Sequence, residues 1–196
     1  MKIFQTPFHT KRLAELKDLT IDYGDGAVCE SISFTIQMGD RIVLRGANGS
    51  GKSSIIKLIC GQDIPYTGDL RIGNGLQISY VSQDTSGLHG KLTDFARDSG
   101  IDESLFLALL AKLDVPKAHM EKDMSSLSAG QKKKVLLARS LCQPMHLHIW
   151  DEPMNYIDVI SRIQIEDLLL QFKPTILFVE HDKAFCENIA TKVVHL

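Results

Sequence analysis

The stretch Gly46–Ser53, which reads GANGSGKS, decides the fold of this chain. It fits the pattern G-x-x-x-x-G-K-[ST], a glycine-rich loop whose backbone N–H groups bind phosphate. The apolar, β-branched segment Arg41–Leu44 before it predicts a strand, and Ser54–Cys60 after it carries apolar residues at helical spacing. Strand, loop and helix are the context that the motif requires, because the positive end of the helix dipole then faces the anion. The alternative interpretation is a glycine-rich turn that matches by chance.

Two side chains of this loop have predicted roles of their own. Lys52 would supply a point charge to the β- and γ-phosphates, and the Ser53 hydroxyl would ligate Mg²⁺. The glycines allow the backbone to curl so that successive N–H groups point inward as a nest for the anion. The loop therefore predicts a site for a nucleotide phosphate chain and magnesium.

Composition narrows the class of protein. The 196 residues predict one large domain, or one core with a lobe, and the 44% hydrophobic share excludes a disordered chain. The net charge of −2 does not by itself mark a nucleic-acid binder. The four cysteines lie far apart without a C-x-x-C pair, which is typical of reduced thiols in a cytosolic protein. No apolar run predicts a signal peptide or a membrane span.

Strand patterns dominate the first part of the chain, and helices alternate with strands in the last part. Short turns, such as the one predicted over residues 23–26, favour an antiparallel sheet near the start. The alternation further on favours a parallel sheet with crossovers. The predicted strands are Leu13–Lys17, Leu19–Tyr23, Ser31–Ile36, Arg41–Leu44, Gly68–Ile72, Gln77–Ser82, Leu147–Trp150, Thr175–Val179 and Lys192–His195. The later predicted helices are Lys132–Leu141, Ile160–Gln171 and Asp182–Ala190.

Between these two parts the sequence pattern predicts helices. The stretch Lys91–Lys122 predicts a small helical lobe in which Asp102 caps a helix and Pro116 ends it. The fold prediction is therefore α/β: a P-loop NTPase with a mixed or parallel core sheet, an N-terminal antiparallel β subdomain and a small helical subdomain. We expect residues 1–196 to form one ATP-binding domain, with the helical lobe inserted at about residues 84–140.

Carboxylates follow one of the apolar strands. Asp151 would hold Mg²⁺ directly or through water, and Glu152 would orient or deprotonate the attacking water. Strand ends are where ligands bind in open α/β sheets, although surface carboxylates that cap a loop are the alternative. Gln83 and His181 also end predicted strands. Either residue alone is a weak signal, but with the other motifs they are predicted sensors of the γ-phosphate and its water.

The order of these motifs resembles an ATP-binding cassette (ABC) nucleotide-binding domain over nearly the whole chain. The residues that carry the resemblance are Tyr23, GANGSGKS, Gln83, LSAGQ at Leu127–Gln131, Asp151-Glu152, Asp158 and His181. LSAGQ is similar to the family signature LSGGQ, which plain P-loop proteins lack. The resemblance differs at one point, since Ala129 stands where the family has its first signature glycine.

The resemblance implies ATP and Mg²⁺ as cofactors and a role for each motif. Glu152 would be the catalytic base and His181 the switch histidine, while Ser53 and Gln83 would touch Mg²⁺ with support from Asp151. Tyr23 would stack on adenine. The residues around the phosphates would be Gly46, Ala47, Asn48, Gly49, Ser50, Gly51, Lys52, Ser53 and Ser54, and those that serve an ATP on an opposing cassette would be Ser128, Gly130 and Gln131.

A second cassette is the partner that this pattern implies. One cassette alone holds half of each site, so we expect the isolated domain to bind ATP and to hydrolyse it poorly. Lys132, Lys133 and Lys134 follow the signature, where cations oppose the helix dipole. Either they are solvated, or this helix end faces the γ-phosphate held by the partner.

The branch of the family is indicated by QKKKVLLARSL and IWDEPMNYIDVISRIQIEDLL, which resemble the second cassette of ABC-F antibiotic-resistance proteins of the Vga/Lsa-like type. That branch implies two cassettes on one chain, no membrane span, a cytoplasmic location and ATP-gated binding at the ribosome. The chain would then be a fragment of a longer protein. Two alternatives stay open: the ATPase subunit of a membrane transporter, and a nucleotide-gated assembly module with little hydrolysis.

Four further residues have structural interpretations. Trp150 is interpreted as core packing. His146 and His148 form an H-x-H pair without an evident third metal ligand. Asp158 is either the aspartate that links the two sites of a cassette dimer or a helix cap.

Overall fold

Two sheets and a set of helices make up the computed structural model, which describes residues 6–24 and 26–196. The strands are β1 Arg12–Asp22, β2 Ala27–Gln37, β3 Arg41–Arg45, β4 Tyr66–Ile72, β5 Ile78–Val81, β6 Leu147–Asp151, β7 Ile176–Val179 and β8 Lys192–His195. The helices are α1 Lys52–Ile59, α2 Leu92–Asp98, α3 Glu103–Lys112, α4 Lys117–Met120, α5 Ala129–Cys142, α6 Val159–Phe172 and α7 Lys183–Ile189, with a 3₁₀ turn at Met124–Ser126. Residue 25, within the predicted turn at 23–26, lies outside the described residues.

The first sheet is antiparallel in the order β2-β1-β4, as the short turns predicted. The prediction of two strands over residues 13–23 was wrong, because β1 runs unbroken from Arg12 to Asp22. The alternation of its side chains between the two faces of the sheet is interrupted by a bulge at Asp18, which has φ 48°. Gly68 on β4 lies against this bulge, where a β-carbon would come within 2.3 Å of the Asp18 carbonyl oxygen.

The second sheet has the order β5-β6-β7-β3-β8, and every pairing in it is parallel. Parallel strands share one carboxyl edge, so β3, β6 and β7 all end on the same side of the molecule. Gly46, Glu152 and His181 follow the ends of these three strands. The shared edge therefore brings them together, although more than a hundred residues of chain separate Gly46 from Glu152. The α/β fold class predicted from the sequence is confirmed.

The core has two parts. One packs α1 between the antiparallel sheet and one face of the parallel sheet, and the other packs the opposite face against α2, α3, α5, α6 and α7. Trp150 on β6 is fully buried in the second part, and its Nε1 donates to Ser140 Oγ at 2.9 Å, so its interpretation as core packing is confirmed. His148 is also fully buried, and burial lowers its pKa to about 4, which keeps the ring neutral at pH 7.

The helical stretch lies between β5 and β6 in the chain. Asp102 caps α3 as predicted, since its side chain accepts a bond from the Leu105 N–H at 2.7 Å. The division into a domain with an inserted lobe stays a prediction. Within the described ranges, no helix has the length and apolar character needed to cross a membrane.

Candidate functional site

The loop between β3 and α1 is curled as the glycine pattern predicted. Gly49 has φ 83° and Gly51 has φ 82°, a conformation that costs glycine little and other residues more. Gly51 is the N-cap of α1, so the first turn of that helix points its free N–H groups into the curl. Lys52 bends back over the loop, and its Nζ donates to the carbonyl oxygens of Gly46 at 2.9 Å and Ala47 at 2.7 Å.

This loop fits a phosphate chain. Ser50 Oγ is buried and has no hydrogen-bond partner. A buried hydroxyl is unfavourable without a hydrogen bond, and a phosphate oxygen in the loop would accept one from it. A β-carbon at Gly46 would lie 2.3 Å from Ser50 Oγ, so a side chain there would displace the Ser50 hydroxyl. Beside the loop is a cleft of about 300 Å³ lined by Val28, Asn48, Gly49, Gly51, Lys52, Ser53, Ser54, Glu152 and Val179.

Three oxygen-bearing side chains converge at the start of α1. Ser53 Oγ donates to Asp151 Oδ2 at 3.2 Å, and Gln83 Nε2 donates to Asp151 Oδ1 at 3.0 Å. A hydroxyl, a carboxylate and an amide are hard ligands that suit Mg²⁺, which takes few protein carboxylates and completes its shell with water and substrate phosphates. The three residues predicted to ligate the metal are thus neighbours, and they fit the ion.

Glu152 lines the same cleft. Its backbone has φ 48°, and its carboxylate is oriented on both sides: Oε1 lies 3.3 Å from His181 Nε2, and Oε2 accepts from Asn155 Nδ2 at 2.5 Å. A carboxylate in a defined orientation beside a phosphate loop is the arrangement that a general base needs. Glu152 and His181 were both predicted, whereas Asn155 was not singled out in the sequence.

The signature residues lie elsewhere. Ser128 is the N-cap of α5 and forms a capping box with Gln131, whose Nε2 is 2.5 Å from His119 Nδ1. A β-carbon at Gly130 would come within 2.4 Å of the Tyr156 carbonyl oxygen, so this glycine permits close contact between α5 and the loop after β6. Among the described residues that line the cleft, there is no member of the signature.

The family model described as "ABC transporter" matches residues 29–155, from β2 through the phosphate loop and signature to the loop after β6. This chain belongs to the ABC transporter family. The region of the match contains both the curled loop around Lys52 and the helix capped by Ser128, so one family match covers the two motifs.

Similar proteins include the ATP-binding protein Uup of Caulobacter vibrioides, 34% identical over 95% of this chain and 32% of its own length. The energy-dependent translational throttle protein EttA of Haemophilus influenzae is 27% identical over 93% of this chain and 34% of its own length. This chain therefore spans about a third of the length of each of these relatives. Among solved structures, an ATP-binding subunit of an ABC transporter is 26% identical with TM-score 0.80, covering 94% of this chain and 85% of the other. A dimeric bacterial ABC transporter cassette, 19% identical with TM-score 0.79 over 94% of both chains, shares the fold.

The structure corrects both interpretations of two of the signature lysines. Lys133 and Lys134 are neither solvated nor directed outward at a partner, because both are buried within the cassette. Lys134 Nζ lies 2.7 Å from Asp158 Oδ2, and Lys133 Nζ donates to the carbonyl oxygens of Ser82 and Asp151. The helix-dipole argument failed because α5 packs against the sheet, so its inner face decides where these side chains point. Lys132 is only partly exposed.

Asp158 caps α6, which confirms the cap interpretation. Its Oδ1 accepts from the Ser161 N–H at 2.9 Å. Burial raises the pKa of Asp158, but the bonds from Lys134 and Ser161 outweigh that effect and hold the pKa well below its ordinary range. A role between two cassettes stays a prediction.

Tyr23 reaches the start of α1 from the end of β1. Its hydroxyl donates to Ser54 Oγ at 2.9 Å, and its ring is about half exposed. The ring is therefore beside the loop and accessible, as the predicted stacking on adenine requires.

Glu180 is a member of the site that sequence reasoning missed. It is buried between β7 and α7, where Oε1 accepts from the N–H groups of His181 at 2.7 Å and Asp182 at 3.1 Å. Its Oε2 accepts from the Met154 N–H at 2.9 Å. Glu180 thus ties the backbone around His181 to the loop that follows Glu152. The available signal was a carboxylate directly after the apolar strand Ile176–Val179.

Proposed function

We propose that this cassette binds ATP with Mg²⁺ and hydrolyses it to ADP and phosphate when it closes on a second cassette. One observation carries the proposal: Lys52, Ser53 and Glu152 line one cleft at the carboxyl edge of the parallel sheet. Asp151 is bonded to Ser53 at the same edge. Family membership supports it independently, since ABC cassettes are in general ATPases.

In this proposal the phosphate loop binds the β- and γ-phosphates through its N–H groups, the Ser50 hydroxyl and the Lys52 ammonium. Ser53, Gln83 and Asp151 would hold Mg²⁺, which would supply positive charge to neutralise the phosphate oxygens. Glu152 accepts the proton of a water whose oxygen bonds to the γ-phosphorus, as the bond to the β-phosphate oxygen breaks. His181 and Asn155 hold the Glu152 carboxylate in the orientation that this proton transfer needs.

The partner in this proposal is another cassette, in cis on a longer chain or as a second copy. Ser128 is the N-cap of α5 and Gly130 lies in the first turn of that helix, and neither residue lines the cleft of its own chain. A helix N-terminus is a natural anion site, so in this proposal these residues serve an ATP held by the partner. Poor hydrolysis by the isolated cassette follows from the same arrangement.

For the whole protein we propose an ABC-F factor that acts in the cytoplasm at the ribosome. The support is the similarity to Uup and to EttA, whose name describes a translational throttle, and the share of about a third that this chain covers in both. A role in antibiotic resistance of the Vga/Lsa-like type is the narrower form of this proposal, and these relatives do not favour it over other ABC-F roles.

The alternative is the ATPase subunit of a membrane transporter. One observation favours it: a solved ATP-binding subunit of an ABC transporter is 26% identical over 94% of this chain. The adjoining sequence of the full-length protein distinguishes the two, because a second cassette supports the ABC-F proposal and a membrane-spanning partner supports transport.

The experiment for the catalytic proposal compares wild type with Glu152→Gln in the full-length protein. Removing a general base typically lowers turnover by about 10²- to 10⁴-fold, while nucleotide binding is retained. Phosphate release and binding of a fluorescent ATP analogue are measured side by side. Undiminished phosphate release by Glu152→Gln would contradict the assignment of the base.

A further inference from the structure

Lys133 is a buried cation that none of the assignments above uses. Only 2% of its surface is exposed, although it lies five residues after the helix N-cap Ser128. An ammonium group leaves water at a large cost unless it is bonded, so its partners are informative. Its Nζ donates to the carbonyl oxygens of Ser82 at 2.9 Å and Asp151 at 3.2 Å.

These two carbonyls lie where β5 and β6 separate. The last pair of residues in the ladder between the two strands is Val81 with Trp150. Ser82 follows Val81, and Asp151 follows Trp150. Lys133 therefore bridges the two segments just beyond their ladder of hydrogen bonds. Its two hydrogen bonds join the segments at the position where the next backbone pairing of the strands would lie.

The two bridged segments carry side chains of the magnesium site. Gln83 follows Ser82 directly, and its Nε2 meets Asp151 Oδ1 at 3.0 Å. The same ammonium group thus contacts both backbone segments from which the amide and the carboxylate project. Because Lys133 belongs to α5, it also links these two segments to the helix that begins with the signature.

The charged groups near Lys133 are carboxylates of the proposed site, as expected for an ammonium group placed beside it. Burial lowers the pKa of Lys133 below its ordinary value, and the nearby carboxylates of Asp151, Glu152 and Glu180 offset only part of this effect. The neighbouring lysines have other surroundings: Lys134 pairs with Asp158, and Lys132 lies on the partly exposed side of the helix.

We propose that Lys133 is a positioning residue that presets the magnesium site by holding the Ser82 and Asp151 carbonyls at a fixed separation. The proposal rests on the proposed binding of magnesium nucleotide. It predicts that loss of the ammonium group weakens the contribution of the metal to binding, and not the metal-free binding of the phosphates by the loop around Lys52. Residues that orient metal ligands typically change metal affinity by about 10- to 100-fold when they are replaced.

The test measures binding of a fluorescent ATP analogue to the 196-residue chain, in EDTA and across a Mg²⁺ titration. Lys133→Met is compared with Lys132→Met, a matched control that removes the same charge from the adjacent position. We expect Lys133→Met to raise the Mg²⁺ concentration for half-maximal enhancement about 10- to 100-fold, with binding in EDTA within about twofold of wild type. Lys132→Met should match wild type in both measurements.

Two results would overturn the inference. One is a Lys133→Met protein that melts at a lower temperature but keeps the wild-type Mg²⁺ dependence, since its role would then be structural only. If that variant does not fold, it is replaced by Lys133→Gln, whose side chain is one atom shorter and carries no ammonium group. An unchanged Mg²⁺ dependence in Lys133→Gln is the second result. A wild-type chain whose binding is not enhanced by Mg²⁺ at all would instead contradict the proposed function.

Discussion

The ion pair between Lys134 and Asp158 offers a quantitative test of how the signature helix is anchored. Their Nζ and Oδ2 atoms are 2.7 Å apart, with the lysine side chain 7% exposed and the aspartate side chain 48% exposed. Asp158 also caps α6 through the Ser161 N–H. Two substitutions separate these roles, because Asp158→Asn keeps a good N-cap and loses the charge, while Asp158→Ala loses both.

The expected magnitude follows from this intermediate burial. Exposed ion pairs contribute about 0.2–1 kcal/mol, and breaking a buried pair costs about 3–5 kcal/mol. With one partner buried and one half exposed, Asp158→Asn should lower the free energy of unfolding by about 1–3 kcal/mol. Loss of the cap costs roughly 1 kcal/mol more, so Asp158→Ala should lower it by about 2–4 kcal/mol.

Urea unfolding followed by Trp150 fluorescence measures these differences, since this is the single tryptophan of the chain and it is fully buried. A double-mutant cycle with Lys134→Met isolates the pair, and we expect a coupling energy of about 1–3 kcal/mol. A coupling below roughly 0.5 kcal/mol, the level at which independent sites add, would refute the reasoning.

The pH dependence provides a second check on the same pair. The folded-state pKa of Asp158 is held below its ordinary value. Its contribution to stability is therefore fully present above the unfolded pKa of about 3.9, and it is lost only as the pH falls through the lower folded-state pKa. The coupling energy should be the same at pH 7 and pH 5, and a loss between those values would contradict this assignment.

Two other predictions concern the fold that supports the site. Gly68→Ala adds both a strained backbone, at φ 92°, and a clash with the Asp18 carbonyl, whereas Gly75→Ala, at φ 77° with open space around it, adds only the strain. The first should cost about 1–3 kcal/mol more in urea unfolding than the second, and equal costs would argue against the close contact. For His148, whose folded-state pKa is about 4, the unfolded chain binds a proton that the folded chain does not between that value and about pH 6.5. Stability should fall by up to about 3 kcal/mol as the pH drops through that window. His148→Gln should remove this part of the slope, and an unaltered slope would count against the buried neutral ring.

Much of the site was predictable because its signals are local. A strand, a curled glycine loop and a helix are specified by consecutive residues, and the structure places Gly51 at the helix N-cap where that pattern expects it. The caps at Asp102 and Ser128 likewise depend on side chains within three positions of the bonds that they accept. Short-range hydrogen bonds of this kind are visible in the sequence.

Other features were missed because they depend on distant residues. The bulge in β1 is accommodated by Gly68 on another strand, which no window around Asp18 contains. Lys133 and Lys134 were interpreted from the dipole of their own helix, but their bonds go to Ser82, Asp151 and Asp158, which other elements bring to them. Glu180 is similar, since Met154 comes within its reach through sheet pairing.

By itself, the sequence of this cassette predicted most of the strands and helices, the curled glycine loop and the family that the motifs resemble. The register and order of the parallel sheet decided that Ser53, Gln83 and Asp151 meet at one edge, and the packing of α5 against that sheet decided that Lys133 is inside. The physical reason is the range of the interactions. Backbone curling and helix capping act between near neighbours in the chain, whereas strand pairing and burial join residues that only the folded chain brings into contact.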